Sequence, residues 1–429
     1  MKGNFQIILI IIFIVFAVLG ILVFSGTIPL GKDKVKEGSG GTVVIWGTVK
    51  PDLMYTMVQN FNDANKTFNL KYEQKSAGTF NQDLLEALAS GVGPDLFFMP
   101  DYLAFDYSNK IFTIPYASYP IANFKNSFAS AGEVFLTGTG VLALPIAIDP
   151  LVMYYNRSML NDNGIVYPPT NWSEVVELAP KLTKATESRL IEKSAVALGQ
   201  YSNVNNAKEI LAALFFETGN TINKQNENGR YSSALMEREG ASNMVSFFTN
   251  FSNPLALEYS WNKSLPNSQD AFSAEDLAFY FGFASELGVL VNKNPNQDFL
   301  AAPFPQLKNA TFKATSAKVT GIAISKFSKN LNSAIQVAGI LASSSFAESY
   351  ALTLGTPPAR RDLLVRKPTD SFYPTFYDSA LFAKSWLDPS PVDTNNIFRR
   401  MVDNVLSNSL SVEASVRDAS NKISNLYLK

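Results

Sequence analysis

Cysteine and histidine are both absent from the 429 residues of the chain. Without Cys there is no disulfide, no thiol nucleophile and no cysteine-linked lipid anchor. Without His the chain lacks the side chain that most often acts as a general base near neutral pH, and with it the commonest transition-metal ligand. Ser-His-Asp hydrolysis, zinc hydrolysis and Cys-His chemistry are thereby excluded within this chain. Paired carboxylates, Lys and Tyr remain as chemical resources, and no metal and no cofactor are expected. Charge is also sparse: 17% of residues are charged, and 36 Lys and Arg against 37 Asp and Glu leave a net charge of −1. No basic excess points to nucleic acid, and there is no acidic tail.

What the chain does have is a 46% hydrophobic composition, that of a folded globular protein rather than a disordered one. Its length suggests two domains, or three, at roughly 150 residues each. Ile7–Phe24 is an uninterrupted apolar run. As a helix it would reach about 27 Å, close to the ~30 Å hydrocarbon core of a bilayer. The apolar part of a signal peptide is usually about 7–15 residues, shorter than this run. Ser25-Gly26-Thr27 makes a poor cleavage site. Residues 1–25 therefore read as an uncleaved membrane anchor, with a cleaved signal peptide as the alternative. Residues 26–41 carry Gly, Pro, Ser and charge without periodicity and read as a linker.

The folded part begins at Thr42-Val43-Val44-Ile45-Trp46, a short buried strand. Met54, Met57, Val58 and Phe61 follow at helical spacing, then a strand over Phe68–Tyr72. A second helix carries Phe80, Leu84, Leu85 and Leu88 and stops at Gly91-Val92-Gly93-Pro94. Asp95–Met99 is a third strand. This alternation predicts a parallel α/β sheet, in which ligands sit beyond the carboxyl ends of the strands. Gly47, Thr48, Asp101 and Tyr102 lie just past such ends. Leu142–Asn156 is a long apolar run broken by Pro145 and Asp149-Pro150, which predicts two strands joined at a bend. Asn171 with Glu174 has capping-box spacing, and Pro180 should kink or end the helix behind it. Ala301–Pro305 reads as an extended crossover, Val319–Ile324 as a strand and Ala334–Leu341 as a helix. Val412, Val416, Ala419, Ile423 and Leu426 form one face of a closing helix.

In its order of signals the chain resembles the family 1 extracellular solute-binding proteins, the maltose-binding-protein-like group, over residues 42–427. The densest match is Leu144–Leu160, LPIAIDPLVMYYNRSML, followed by Pro168-Pro169-Thr170-Asn171-Trp172 and Glu174. Arg157 stands where that group usually has Lys. Gly93-Pro94-Asp95 precedes the third strand. Ala271-Phe272 and Leu277-Ala278-Phe279 follow in the expected order, with Glu275-Asp276 in place of the usual Gly-Lys. Gly321–Ile324, Ser328-Lys329-Asn330 and Gly355–Arg360 complete the series. The resemblance implies a two-lobed periplasmic-binding-protein-like fold of type II, with discontinuous lobes around an interlobe cleft. Residues 42–148 and 306–345 would form the N-terminal lobe, and 149–305 and 346–429 the C-terminal lobe. Crossovers would fall near Ile148–Pro150, Ala302–Gln306 and Ser343–Glu348.

By the same resemblance the chain would be a monomeric binding protein and not an enzyme, capturing a small polar solute, a sugar or oligosaccharide, for the permease subunits of an ABC importer. Two alternatives remain open at this point: a sensor domain feeding a membrane receptor, and a non-sugar solute; a membrane-anchored glycosidase using Asp149 with Asp101 or Glu258 finds no further support in the sequence. A count of flanking Lys residues would put the large domain in the cytoplasm, but that rule weakens when a long domain follows. The resemblance places it outside, tethered by the N-terminal helix.

Sugar sites pair aromatic faces with carboxylates and amides. Trp46 follows the first strand, and Trp261 lies in a polar stretch. Both are expected to contact ligand, and so is Phe283, which matches a stretch supplying an aromatic wall in relatives. Asp149, a carboxylate inside an apolar crossover, matches an acid that binds sugar hydroxyls. Thr48, Asp101, Asn203 and Arg360 are weaker expectations. Trp172 is expected to be structural, packed at a helix start.

Overall fold

The computed structural model describes residues 41–187, 190–238 and 240–428. The expected membrane helix over Ile7–Phe24 and all but the last residue of the linker lie outside them. Among the described residues no helix is long and apolar enough to cross a membrane.

The alternation read from the N-terminal part forms as strand β1 (Thr42–Gly47), helix α1 (Pro51–Ala64), β2 (Asn69–Gln74), α2 (Phe80–Ser90) and β3 (Leu96–Pro100). Pro51 opens α1, where its missing N–H would have no helical partner, and Met54, Met57 and Phe61 face the sheet. Helix α2 ends at Gly91 with φ of +71°, a left-handed conformation that only glycine takes without a Cβ penalty. Leu85, expected on its buried face, is exposed. β1 pairs in parallel with both β2 and β3.

The middle of the chain supplies β4 (Ala143–Asn156), α3 (Trp172–Leu182), β5 (Lys184–Ala185), β6 (Ile191–Val196), α4 (Ala207–Glu217), β7 (Leu277–Phe283), β8 (Phe299–Ala302), β9 (Thr315–Ile324) and β10 (Ala383–Lys384). Two helices close the chain, α5 (Pro391–Leu406) and α6 (Val412–Leu426). The strands form one sheet in the order β2-β1-β3-β9-β4-β7-β6-β5, with β8 beside β4 and β10 beside β9. β4 is a single continuous strand of 14 residues, where the sequence suggested two. Proline is compatible with extended backbone where the ladder does not need its N–H. A register shift in β9 between Thr320 and Gly321 falls opposite Pro145. In α3, Asn171 accepts the Glu174 N–H at 3.1 Å, while the Glu174 carboxylate reaches back to the Thr170 N–H at 2.6 Å. The helix runs through Pro180 and ends two residues later, at Leu182.

The buried apolar residues divide into two cores. The first holds β1–β3, β4 as far as Ile148, β9 from Ala317, and buried residues from Ala334 to Leu364 and from Tyr377 to Leu387. The second holds β4 from Leu151, Phe299 to Ala314, Phe376, and Ile397 to Ile423. Along β4 the change of core comes between Ile148 and Leu151. Ala302 and Phe304 belong to the second core, and the passage comes at Ala314–Ala317, along β9 itself. Phe346–Leu364 and Tyr377–Leu387 pack in the first core, with Phe376 alone reaching the second, so the third passage comes between Leu387 and Ile397 rather than near residue 345. The prolines at 303 and 305 lie in a stretch without regular structure that stays within the second lobe: Gln306 hydrogen-bonds the backbone of Thr170 and Ala314 there.

Candidate functional site

β4 and β9 run antiparallel through both lobes, and Asp149 and Lys318 stand directly opposite each other where they cross. β7 ends beside them, with Phe283 paired to Leu151. Ser285, just beyond that end, donates its N–H to one Asp149 oxygen at 3.0 Å and its hydroxyl to the other at 2.6 Å. The Lys318 ammonium lies 3.8 Å from the centroid of the Phe283 ring. Burial pushes the Asp149 carboxyl up to about 6. The Ser285 bonds and the Lys318 charge pull it back, and Glu286 adds to the rise.

Asp101 flanks Lys318 from the other side. On that edge of β9, β3 pairs with Thr320–Ile324 and β10 with Thr315 and Ser316. The stretch between has no strand partner there, and Asp101 fills the gap. One of its oxygens accepts the Val319 N–H at 3.0 Å and the Ser385 hydroxyl at 2.6 Å. Asp101 is buried, and that burial pushes it up to about 6 against those two hydrogen bonds. Its carboxylate oxygen therefore caps a backbone donor that would otherwise go unsatisfied. This is a structural duty at the crossover, served by one of its two oxygens. Thr48 and Tyr102, both exposed, lie past the carboxyl ends of β1 and β3, and Lys318 is exposed on β9. The group at the crossover is thus one carboxylate, one ammonium and one hydroxyl, with a second hydroxyl and a phenol on the first-lobe strand ends.

Two of the three aromatic residues expected to line the site, Trp46 and Trp261, are buried against other partners. Trp46 is buried; its indole N–H goes to Glu73 at 3.0 Å, and the Lys75 ammonium covers its face at 3.7 Å. Trp261 is 1% exposed and lies in the second core, its indole N–H donated to Asn203 at 3.2 Å. Asn203 in turn donates to the carbonyls of Asn262 and Leu265, so this pair ties two loops together. The polar residues around Trp261 misled the sequence reading because they are satisfied internally. Ser260 bonds the Val196 carbonyl, and Ser252 bonds that of Trp261 itself. Phe283 is fully buried beneath Lys318. Arg360 is held in a two-pronged bond to Asp362 at 2.9 and 3.0 Å, which neutralises it locally. Of the eight expected residues, the structure brings Asp149, Phe283 and Asp101 together at the crossover. Lys318 and Ser285 were missed. The signal for Lys318 was a lone charge inside the apolar strand TSAKVTGIAI. Ser285 had no signal of its own.

Trp172 is structural, as expected. It is buried, with ring centroids of Phe304, Phe247 and Phe281 at 5.1, 5.3 and 5.5 Å, and its indole N–H meets Glu217 at 3.0 Å. Among the described residues no group of His, Cys, Asp and Glu is placed to hold a metal ion.

Compared with known proteins, residues 56–370 match the family model described as bacterial extracellular solute-binding protein. A protein of Brucella abortus (strain 2308), whose name describes it only as a binding protein, is 28% identical over 126 residues. That alignment spans 28% of this chain and 30% of the relative's own length. Among solved structures, a cyclo/maltodextrin-binding protein complexed with maltotetraose superposes with a TM-score of 0.73 at 15% identity, covering 92% of this chain and 98% of that one. The sugar-binding protein MalE of Xanthomonas citri gives 0.71 at 16% identity, covering 90% and 97%. The cyclic alpha-maltosyl-1,6-maltose binding protein of Arthrobacter globiformis gives 0.72 at 12% identity, covering 90% and 98%. At these identities the likeness establishes the two-lobed fold. The family match covers well over half of the chain, and the chain belongs to the bacterial extracellular solute-binding proteins.

Proposed function

We propose that the chain captures a sugar or oligosaccharide between its two lobes, outside the cytoplasm, and delivers it to the permease of an ABC importer. The observation that carries this reading is the Asp149–Ser285–Lys318 group at the crossover, where both lobes meet. A carboxylate held between a hydroxyl and an ammonium can accept from one sugar hydroxyl while Lys318 donates to another. Exposed Thr48 and Tyr102 add a hydroxyl and a ring face from the first lobe. The fold is shared with a cyclo/maltodextrin-binding protein complexed with maltotetraose, which supports the same class of solute. The lobes would be the two cores described above, hinging along β4 and β9 as they close on the solute.

The test is a titration with maltotetraose and a panel of monosaccharides, read by thermal unfolding and calorimetry. A bound sugar at a hundred times its Kd should add about 2.7 kcal/mol of stability. Asp149→Asn keeps the shape and loses charge-assisted bonds of about 1.5–3 kcal/mol, at least about tenfold in affinity. Wild-type affinity in that variant would refute the site. A response to polyamines or organic anions and to no sugar would refute the solute class.

We further propose that Ile7–Phe24 keeps the mature protein on the membrane. Its length and the poor cleavage site after it support an uncleaved helix. Mass measurement of the protein extracted from its own membrane should give the full-length chain. A mature form beginning near Ile28 would show a cleaved signal instead.

A further inference from the structure

A cavity of about 430 Å³ lies between the two cores, and none of the eight residues expected from the sequence lines it. The volume falls within the range of small-molecule sites, about 300–1,000 Å³. Its walls come from four separated stretches of chain. Glu133 and Val134 belong to the 3-10 segment Ser130–Phe135 of the first lobe. Phe216 comes from the end of α4, and Asn223 opens the short hairpin strand Asn223–Gln225 behind it. Lys384 and Trp386 sit on the connection that leads back to the second lobe. Tyr231 closes the cavity. It reaches from a second-lobe hairpin to the first core, with its ring centroid 6.4 Å from Phe105 and 5.7 Å from Tyr427.

The charges in this cavity are not equivalent. Glu133 is engaged by Lys125 at 2.9 Å. Lys384 forms no ion pair among the described residues; its ammonium lies 4.8 Å from the centroid of the Phe312 ring. Burial pulls its pKa below the usual lysine range, with Glu133 acting against that. Its backbone is fixed by pairing with Ser316 of β9, so the amine projects from a rigid strand. The cavity thus offers one uncommitted cation, the aromatic walls of Phe216, Tyr231 and Trp386, and one side-chain amide, Asn223.

We propose that this cavity is a second ligand site, separate from the Asp149 group, that takes a small aromatic monocarboxylate. The carboxylate pairs with Lys384, the ring stacks among Trp386, Tyr231 and Phe216, and Asn223 takes a polar substituent. A single cation matches a single negative charge, and the mostly apolar lining excludes a strongly hydrated dianion.

The probe is 4-hydroxybenzoate, titrated into the full chain and followed by calorimetry and ligand-observed NMR. Saturable binding is expected, weakened at least about tenfold by Lys384→Met, which keeps the apolar stem and removes the charge. Should Lys384→Met fail to fold by circular dichroism, Trp386→Leu is expected to weaken binding by a similar factor. Asp149→Asn should leave it unchanged. Absence of saturable binding overturns the inference, and so does wild-type affinity in the folded variant. Loss of 4-hydroxybenzoate binding in Asp149→Asn, or its displacement by a bound sugar, would place the probe at the crossover. That outcome overturns the second site and leaves the sugar reading standing.

Discussion

Trp172→Ala is expected to lower the stability of the protein by about 3–5 kcal/mol, the usual cost of emptying a large aromatic site in a core. The ring lies among Phe247, Phe281 and Phe304, which come from three different parts of the second lobe. Its loss also strips Glu217 of one of two hydrogen-bond donors, leaving the Leu307 N–H at 3.0 Å. Glu217 is buried and its second oxygen has no partner, so burial pushes its carboxyl up to about 9. At neutral pH it is a neutral acid. The folded state therefore holds this proton more tightly than the unfolded chain does. Its contribution is complete below the ordinary carboxyl pKa of about 4.5 and is lost as pH rises toward 9. The steepest slope one proton can impose is about 1.4 kcal/mol per pH unit. Urea unfolding at pH 5, 7 and 8.5 should show the wild type weakening with pH and Glu217→Gln weakening less. Parallel curves for the two proteins would mean that Glu217 titrates normally in the fold.

The architecture was far more legible than the site. Helices α1 and α2 announce themselves by apolar spacing, a Pro at the start and a Gly at the end, all local features. The first crossover was legible because Asp149 interrupts an apolar run. The other two passages were not. Nothing in the local pattern tells that Ala314, just before β9, packs in one core while β9 from Ala317 packs in the other. The aromatic residues failed for a related reason. Trp46 and Trp261 sit where exposure is plausible from composition, yet each finds a long-range partner for its indole N–H, in Glu73 and Asn203. A sequence shows that an indole needs a partner when buried, but not that one is 27 or 58 residues away. Lys318 carries the converse lesson: the lone charge in an apolar strand stands exposed at the crossover, while Trp261, an aromatic residue in a polar loop, is buried.

Lys208 and Asp388 make the second large prediction. Both are buried, their charged groups are 2.9 Å apart, and they join α4 of the second core to the residue that follows Leu387 of the first. Asp388 also accepts from the Thr394 hydroxyl at 2.9 Å and the Ser390 N–H at 3.1 Å. The pair therefore pins the third passage between the lobes. Lys208→Met leaves a carboxylate buried with neutral donors alone, and the expected cost is about 3–5 kcal/mol. Asp388→Asn strands the ammonium, with Glu209 at 3.9 Å as a distant substitute, and should cost somewhat less. The double variant removes both charges from the interior, so most of the loss should be recovered. A double-mutant cycle by chemical denaturation measures this directly. Losses that simply add would show that the two charges are solvated independently, and that the third passage is held by packing alone.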